Sequence, residues 1–448
     1  MDMSAAEATR LIARYREEMP ILCLMTVARA GSKLCHSLFD GHPDILCFPR
    51  KLHFGRFWSG LGSGNVTVDA MLDRFFELYP HFFSSMEWYK INKYERAEEL
   101  GERQNEGFEL DKGRFRSEVK LLLTDVEVDR ATVFLAFHFA YQVVCNKPIS
   151  ENPVIFCHIH DANLESELHA CRADFSNIRV LVTTRNPLQS LESAVNWMEM
   201  HNKTAPWVLY YYYRAVTIDA CNLARRFRDV EIRVCPVETL HKRSREVMER
   251  ICEWADIRWH ENLLRSTMHG KLWWGNGRKP RNGFNLNWND YPPVYATGLR
   301  HNDWCVMRAI CGKRLHAYGY LDDQDLKRLR TRLFVFRAML PTASESQVLA
   351  RIMNPFFWGR TFRAAAIDAR DERLRGYDYY TKKRNDRTPF IAKFVRSVLF
   401  LAARANPVSW SVNFCKRVDF SLKTYLKGEL PDSVPPLLMD MDAAAIDD

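Results

Sequence analysis

Apolar residues in this chain come in short uninterrupted runs separated by amphipathic stretches. Ile21 to Val27 (Ile-Leu-Cys-Leu-Met-Thr-Val) is such a run, as expected of a strand buried on both faces. Ala28 to Gly31 predicts a turn. Ser32 to Asp40 predicts a helix with Leu34, Leu38 and Phe39 on one face, ended by Gly41 and then Pro43. Ile45 to Phe48 predicts a second strand, and Val154 to Cys157 a third that runs into His158-Ile-His160. A helix follows from about Asn163. Asn177 to Thr184 predicts a strand leading into Arg185, with Asn186 as cap and Pro187 in the first turn of the next helix. Glu231 to Val234 predicts a further strand, followed by Glu238-Thr-Leu and a helix through Glu253. This alternation predicts an α/β fold of three layers, a central parallel sheet flanked by helices on both faces. Ligands of such sheets sit beyond the carboxyl ends of the strands.

Residues 51–150 read as mostly helical and rich in Phe, Tyr and Trp. Those rings serve either as core or as flat surfaces for a ring-bearing ligand. Tyr318-Gly-Tyr320, followed by the acidic turn Asp322-Asp-Gln-Asp325, predicts a domain boundary near 320. The basic excess belongs beyond that boundary. The net charge is +9, yet residues 321–428 carry 22 Lys/Arg against 10 Asp/Glu, and the last twenty carry six acidic residues and no basic one. The expected organisation is therefore a domain over 1–320 and a basic, mostly helical extension over 321–448 with an acidic tail. With 47% hydrophobic and 27% charged residues the chain is globular, not disordered.

The first twenty residues carry no signal-peptide core, and no apolar stretch reaches the roughly 20 residues of a membrane span. Twelve cysteines are scattered with no Cys-x-x-Cys and no zinc spacing. Several, such as Cys23, Cys157 and Cys252, lie in apolar runs and read as buried thiols. The expected compartment is reducing and cytoplasmic.

Two strand–helix junctions carry the chemistry. The first is Thr26-Val-Ala-Arg-Ala-Gly-Ser-Lys33, the second Arg185-Asn-Pro-Leu-Gln-Ser-Leu-Glu-Ser193. Such junctions offer free backbone N–H groups and the positive end of a helix dipole to an anion. The first is not a Walker A sequence, which needs a leading Gly and then Gly-Lys-Ser/Thr; here Thr26 holds the first position and the order is Gly31-Ser32-Lys33. It still presents a cation at Arg29, a small residue at Ala30, a permissive Gly31, the Ser32 hydroxyl and a second cation at Lys33. The bland alternative is an ordinary turn with surface basic residues.

Arg29-Ala-Gly-Ser-Lys-Leu-Cys-His-Ser-Leu-Phe-Asp-Gly-His-Pro-Asp-Ile45 resembles the 5′-phosphosulfate loop of sulfotransferases that use 3′-phosphoadenosine-5′-phosphosulfate (PAPS). The following helix ending in His-Pro is similar to the carbohydrate-type, bacterial-like branch. Arg185 and Ser193, eight apart and opening on Arg-Asn-Pro, resemble that family's 3′-phosphate motif. Weaker similarity runs through Val237-Glu-Thr-Leu240 and Val247 to Trp254, and ends at His301 to Tyr320. The resemblance implies a P-loop-like fold over about 20–320, with 51–150 on the acceptor side. It implies PAPS as co-substrate, no metal, and a carbohydrate or glycolipid acceptor. Backbone and side chains of Arg29, Ala30, Gly31, Ser32, Lys33 and Leu34 would hold the 5′ end, and Arg185 and Ser193 the 3′ phosphate. Arg29 would stabilise charge on the leaving phosphate. Lys33 stands where the family has Thr or Ser. It either reaches the leaving phosphate oxygen or points away.

A base must take the acceptor's proton. His158 and His160 resemble a Lys-x-His pair of cytosolic members, which makes His160 the first candidate. Carbohydrate-type relatives often draw a Glu from the segment after the second strand. That segment here, Phe48 to Phe54, has no carboxylate, so His53 is the second candidate. The loop Met268 to Phe284 looks like the family's late loop, with Arg278, Lys279 and Arg281 within reach of phosphate or simply solvated. The 321–428 segment is either a helical add-on or a basic surface for an acidic glycan or a membrane periphery. No nucleic-acid partner is expected. Two other readings stay open: a PAPS-binding protein of the same fold without turnover, and a P-loop kinase using ATP.

Overall fold

The computed structural model describes residues 4–26, 29–62, 66–160, 164–186, 189–193, 227–275, 308, 315–328 and 438. The chain divides into two compact units. The first comprises Met1–Thr184, Leu223–Asp290 and Pro435–Asp440. The second comprises Arg185–Asn222, Tyr291–Val434 and Met441–Asp448.

The first unit holds a five-stranded, all-parallel sheet. Its strands are β1 (Ile21–Thr26), β2 (Ile45–Leu46), β3 (Val154–His160), β4 (Ile178–Thr184) and β5 (Glu231–Pro236). Their spatial order is β2-β3-β1-β4-β5, so β1 lies at the centre, and every residue of it is buried. This is the α/β sheet flanked by helices that the apolar runs predict. The expected second strand is shorter than its apolar run. Only Ile45 and Leu46 pair with β3, and the carbonyl of Phe48 is engaged by the His36 ring at 2.8 Å instead of by a strand.

Period-two alternation along β1 divides its side chains between two helical layers. Leu22 and Leu24 face a cluster with Cys35, Leu38 and Phe39 of α2 (Ser32–Asp40), which follows α1 (Ala5–Glu18) and β1 in the chain. Val247, Met248 and Ile251 of a later helix, Ser244–Ala255, complete that cluster. Phe39 stacks on Phe156 of β3 at 4.4 Å. Cys23 stands on the other face with its sulfur 3.1 Å from that of Cys157, its register partner. Cys23, Cys35, Cys47, Cys235 and Cys252 are buried and free, as thiols in apolar runs should be, whereas Cys157, also expected to be buried, is half-buried.

The 51–150 segment is helical as predicted. It contains α3 (Phe54–Ser59), α4 (Val68–Leu78), α5 (Ser85–Asn92), α6 (Lys112–Leu122) and α7 (Arg130–Val144). Most of its aromatic rings are core, while Tyr89 and Tyr94 are exposed. Phe75, Phe82, Phe83, Phe115 and Phe137 are fully buried, and Phe75 meets Phe137 at 4.5 Å and Phe115 at 5.6 Å. Burying such a ring contributes about 1.5–3 kcal/mol. α7 is apolar all round, and 14 of its 15 residues are buried.

The second unit has few described residues, among them the helix Asp323–Arg328. Most of the expected 321–448 extension, and the residues Arg278, Lys279 and Arg281, lie outside the described residues. Among the described residues, no helix is long and apolar enough to cross a membrane.

Burial leaves several imidazoles neutral. His138 of α7, which donates from Nδ1 to Phe134 O at 2.8 Å, is pushed down to about 4. His269, against the Phe108 ring at 3.8 Å, is pushed to about 3, and His81 well below its ordinary value. An unfolded chain protonates these rings at about pH 6.5, the folded one only lower. Their stabilisation is therefore complete above about pH 6.5 and is lost as pH falls towards about 4. His138 alone accounts for on the order of 3 kcal/mol across that window. Urea unfolding midpoints should drop steadily over it, and more shallowly in His138→Gln; a flat midpoint would contradict the burial of neutral rings.

Candidate functional site

The parallel sheet sets the carboxyl ends of all five strands along one edge. From the central strand the chain turns directly into α2. Arg29 has φ 70° and Gly31 φ 73°, both in the left-handed region. Gly31 is the cap of α2, offers no side chain to its free N–H groups, and is followed by no acidic residue in the first turn. A helix start without a side-chain cap, with the positive end of its dipole, is electrostatically suited to an anion. Glycine is required here twice over. The left-handed φ disfavours any side chain, and a Cβ on Gly31 would stand 2.1 Å from Cγ2 of Val237, just after β5.

The far end of α2 is held as firmly. Asp40 accepts from Gly270 N at 2.7 Å, and Lys147 donates to its backbone carbonyl at 2.6 Å. Asn262 donates to Gly41 O at 2.8 Å, and His42 bonds Arg258 O at 2.7 Å. Burial would raise the Asp40 carboxyl, but the Lys147 ammonium, His269 and the Gly270 bond outweigh it and keep it below its ordinary value.

One face of α2 lines a cavity of about 60 Å³, contributing Ser32, Lys33, His36 and Ser37. The spacing i, i+1, i+4, i+5 puts all four on one side of the helix. Pro49, Arg50 and Lys51 after β2 form a second wall, and His158 of β3 a third. Trp88, Glu95, Thr267, Met268 and Trp273 close it.

Glu95 organises this wall. Its side chain is 3% exposed and pairs with both Lys33 and Arg50, the latter at 3.1 Å. It also accepts from Trp88 Nε1 at 2.9 Å and Asn92 Nδ2 at 2.7 Å, while Trp273 Nε1 donates to its backbone carbonyl at 2.6 Å. Burial would raise the carboxyl, yet the Lys33 and Arg50 charges with the bonds from Lys33 and Trp88 hold it at about 2. Lys33 itself is lowered, because burial outweighs Glu95. Lys33 is thus turned to an internal carboxylate while still lining the cavity.

The other sequence-predicted residues are placed as follows. Ala30, Ser32 and Leu34 stand in or directly after the loop, with Ala30 and Ser32 buried. His160 ends β3 in register with Thr26, and its side chain lies outside the described residues. His53 caps α3, is buried, and is not among the residues lining the cavity. Arg185 follows β4 and belongs to the second unit, as does Ser193, which sits in the helical stretch 189–193. Ser190 N donates to Asn186 O at 2.9 Å, and Pro187, expected in the first turn, lies outside the described residues. Sequence reasoning missed Arg50, Lys51, Trp88, Glu95 and Trp273. A buried acidic residue inside a helical insertion carries no local signature, since carboxylates are exposed by default. Among the described residues, no group of three or more His, Cys, Asp or Glu could hold a metal ion.

No family model matches the chain, and no curated protein matches it. Solved structures similar to it include three sulfotransferases. The sulfotransferase domain of the Synechococcus PCC 7002 olefin synthase is 16% identical, covering 55% of this chain and 77% of that one, with a TM-score of 0.30. The sulfotransferase domain from the curacin biosynthetic pathway is 12% identical, covering 66% and 98%, with a TM-score of 0.38. The sulfotransferase STF9 from Mycobacterium avium is 12% identical, covering 69% and 79%, with a TM-score of 0.35.

Two substitutions probe the geometry. Gly31→Ala should cost stability by about 1–3 kcal/mol from the backbone alone. Adding Val237→Ala should recover only the part due to the close approach, as read by thermal unfolding. Glu95→Gln leaves Lys33 and Arg50 without their countercharge and should cost about 1–3 kcal/mol in urea unfolding. A neutral outcome would mean that the two cations are solvated and not paired.

Proposed function

We propose that this protein transfers the sulfuryl group of PAPS to a hydroxyl of a carbohydrate or glycolipid. The observation that carries the reading is the loop ahead of α2. Two left-handed residues and an uncapped helix start lie beyond the carboxyl end of the central strand, where the sequence resembles a phosphosulfate loop. The spacing of Arg185 and Ser193, on a strand end and in the next helix, supports a 3′-phosphate site and so favours PAPS over ATP.

In this reading the N–H groups of residues 30–34 hold the 5′ phosphate, and Arg29 stabilises the charge that develops on the bridging oxygen. Arg185 makes charge-assisted bonds to the 3′ phosphate and Ser193 adds one more. Arg278 and Arg281 close over the nucleotide from the late loop. No metal is invoked, because cations of the chain neutralise the phosphosulfate. The acceptor's proton goes to an imidazole, for which the sequence offers His160 and His53. The basic 321–428 segment contacts an acidic glycan or an anionic membrane surface.

One observation favours a second reading, a protein that binds PAPS or its product without turnover. Lys33, which replaces a hydroxyl residue of the resembled motif, is engaged by Glu95. Calorimetry separates the readings. Adenosine 3′,5′-bisphosphate should bind more tightly than ATP, and Arg185→Ala should weaken it about 10- to 100-fold. Preference for ATP would sink the nucleotide assignment. Transfer of labelled sulfuryl groups to a glycan panel should then be seen with the intact chain and lost in Arg29→Ala. Tight binding without transfer would select the second reading.

A further inference from the structure

The cavity contains an imidazole that the sequence motifs leave without a role. His36 is 5% exposed and lies on the same face of α2 as Ser32, one turn or about 6 Å further along the helix. Its Nε2 is 2.8 Å from the carbonyl oxygen of Phe48. A carbonyl only accepts, so Nε2 carries the proton and Nδ1 of the neutral ring is a lone-pair nitrogen. That Nδ1 is buried and has no hydrogen-bond partner among the described residues. A buried acceptor without a partner is unfavourable, and an incoming hydroxyl would recover that loss. The ring is fixed from two further sides, by Phe156 at 5.3 Å and by His158 at 5.4 Å.

We propose that His36 is the catalytic base for the acceptor, taking the hydroxyl proton on Nδ1 while the Phe48 carbonyl holds its tautomer. The inference rests on the sulfuryl-transfer reading and deepens it. In the step, the acceptor oxygen bonds to sulfur as the bond from sulfur to the 5′-phosphate oxygen breaks. The electron pair of that bond stays on the phosphate oxygen of adenosine 3′,5′-bisphosphate. The acceptor's proton moves to Nδ1, giving an imidazolium whose Nε2–H still donates to Phe48 O. The ring later releases that proton to solvent. His53 is not among the residues lining the cavity and is displaced from this role; His36 also takes it in place of His160.

The charged and titratable groups facing the ring are Asp40 on α2, Arg50 after β2 and His158 on β3, with Lys33 and Glu95 in the same cavity wall. Burial lowers His36, the Phe48 bond and Asp40 oppose this, and Arg50 adds to the lowering. The base is therefore in its working, neutral form at neutral pH. Activity should fall as pH drops through its lowered pKa.

His36→Gln is the decisive variant, since the amide nitrogen of glutamine can keep the bond to Phe48 O while no base remains. Transfer of labelled sulfuryl groups to the glycan panel and to water should fall about 100- to 10,000-fold. Affinity for adenosine 3′,5′-bisphosphate should stay unchanged, and the acid limb of the kcat profile should vanish. Added imidazole should restore part of the activity of His36→Ala without raising its Tm. The proposal is overturned if His36→Gln transfers within about twofold of the parent chain. It is equally overturned if the acid limb disappears in His160→Gln and persists in His36→Gln. Loss of nucleotide affinity and Tm along with kcat, with no imidazole rescue, would make His36 structural and end the proposal. A parent chain that binds the nucleotide and transfers to neither glycan nor water removes the reaction, and its base with it.

Discussion

A buried carboxylate ties the candidate site together. Glu95 reaches Lys33 on α2, Arg50 beyond β2, and Trp88 and Asn92 of α5, while its backbone takes Trp273 from the 270s. Three separate parts of the chain thus share one anion, and a fourth is tied to the same residue through its backbone. A lone buried carboxylate costs several kcal/mol, so the group persists only because two cations and two N–H donors surround it. The arrangement consumes Lys33, whose departure from the resembled motif otherwise looks like a missing hydroxyl. The counterion buried beside it compensates the lysine's charge.

The other constraint is steric. Gly31 is squeezed between its left-handed backbone and Val237, so that position admits no side chain. Pre-organisation of this kind aims backbone N–H groups before a ligand arrives, which avoids ordering them during binding. α2 thus carries an uncapped start, a lysine turned to Glu95, and an imidazole one turn behind.

The elements with local signatures were legible in the sequence. Ser32 to Asp40 has a glycine before it, an apolar stripe along it and Gly-His-Pro after it, and the observed helix has those bounds. β1 and β4 were legible because strands buried on both faces read as continuous apolar runs. The short β2 was overestimated, because the apolar Cys47 and Phe48 serve the aromatic core and a side-chain bond instead of the ladder. The site was half legible. Ser32 and Lys33, which line the cavity, stand in a glycine-and-cation loop that advertises itself in sequence. Glu95 and Trp273 do not, since they reach the site only through packing between residues 62 to 178 positions apart. His36 sat inside the recognised motif, yet only its bond to Phe48 O reveals which nitrogen is available.

The anchoring of α2 also bears on when the protein acquires its site. Asp40 awaits Gly270, 230 residues later, and Gly41 awaits Asn262, 221 residues later. At 5–20 residues per second a ribosome needs roughly 10 to 50 seconds to supply those partners. For that interval the apolar face of α2 and the centre of the sheet have no finished core to enter. The chain's earliest functional segment is therefore among the last to become seated, and newly made protein depends through that period on whatever shields its nascent surface.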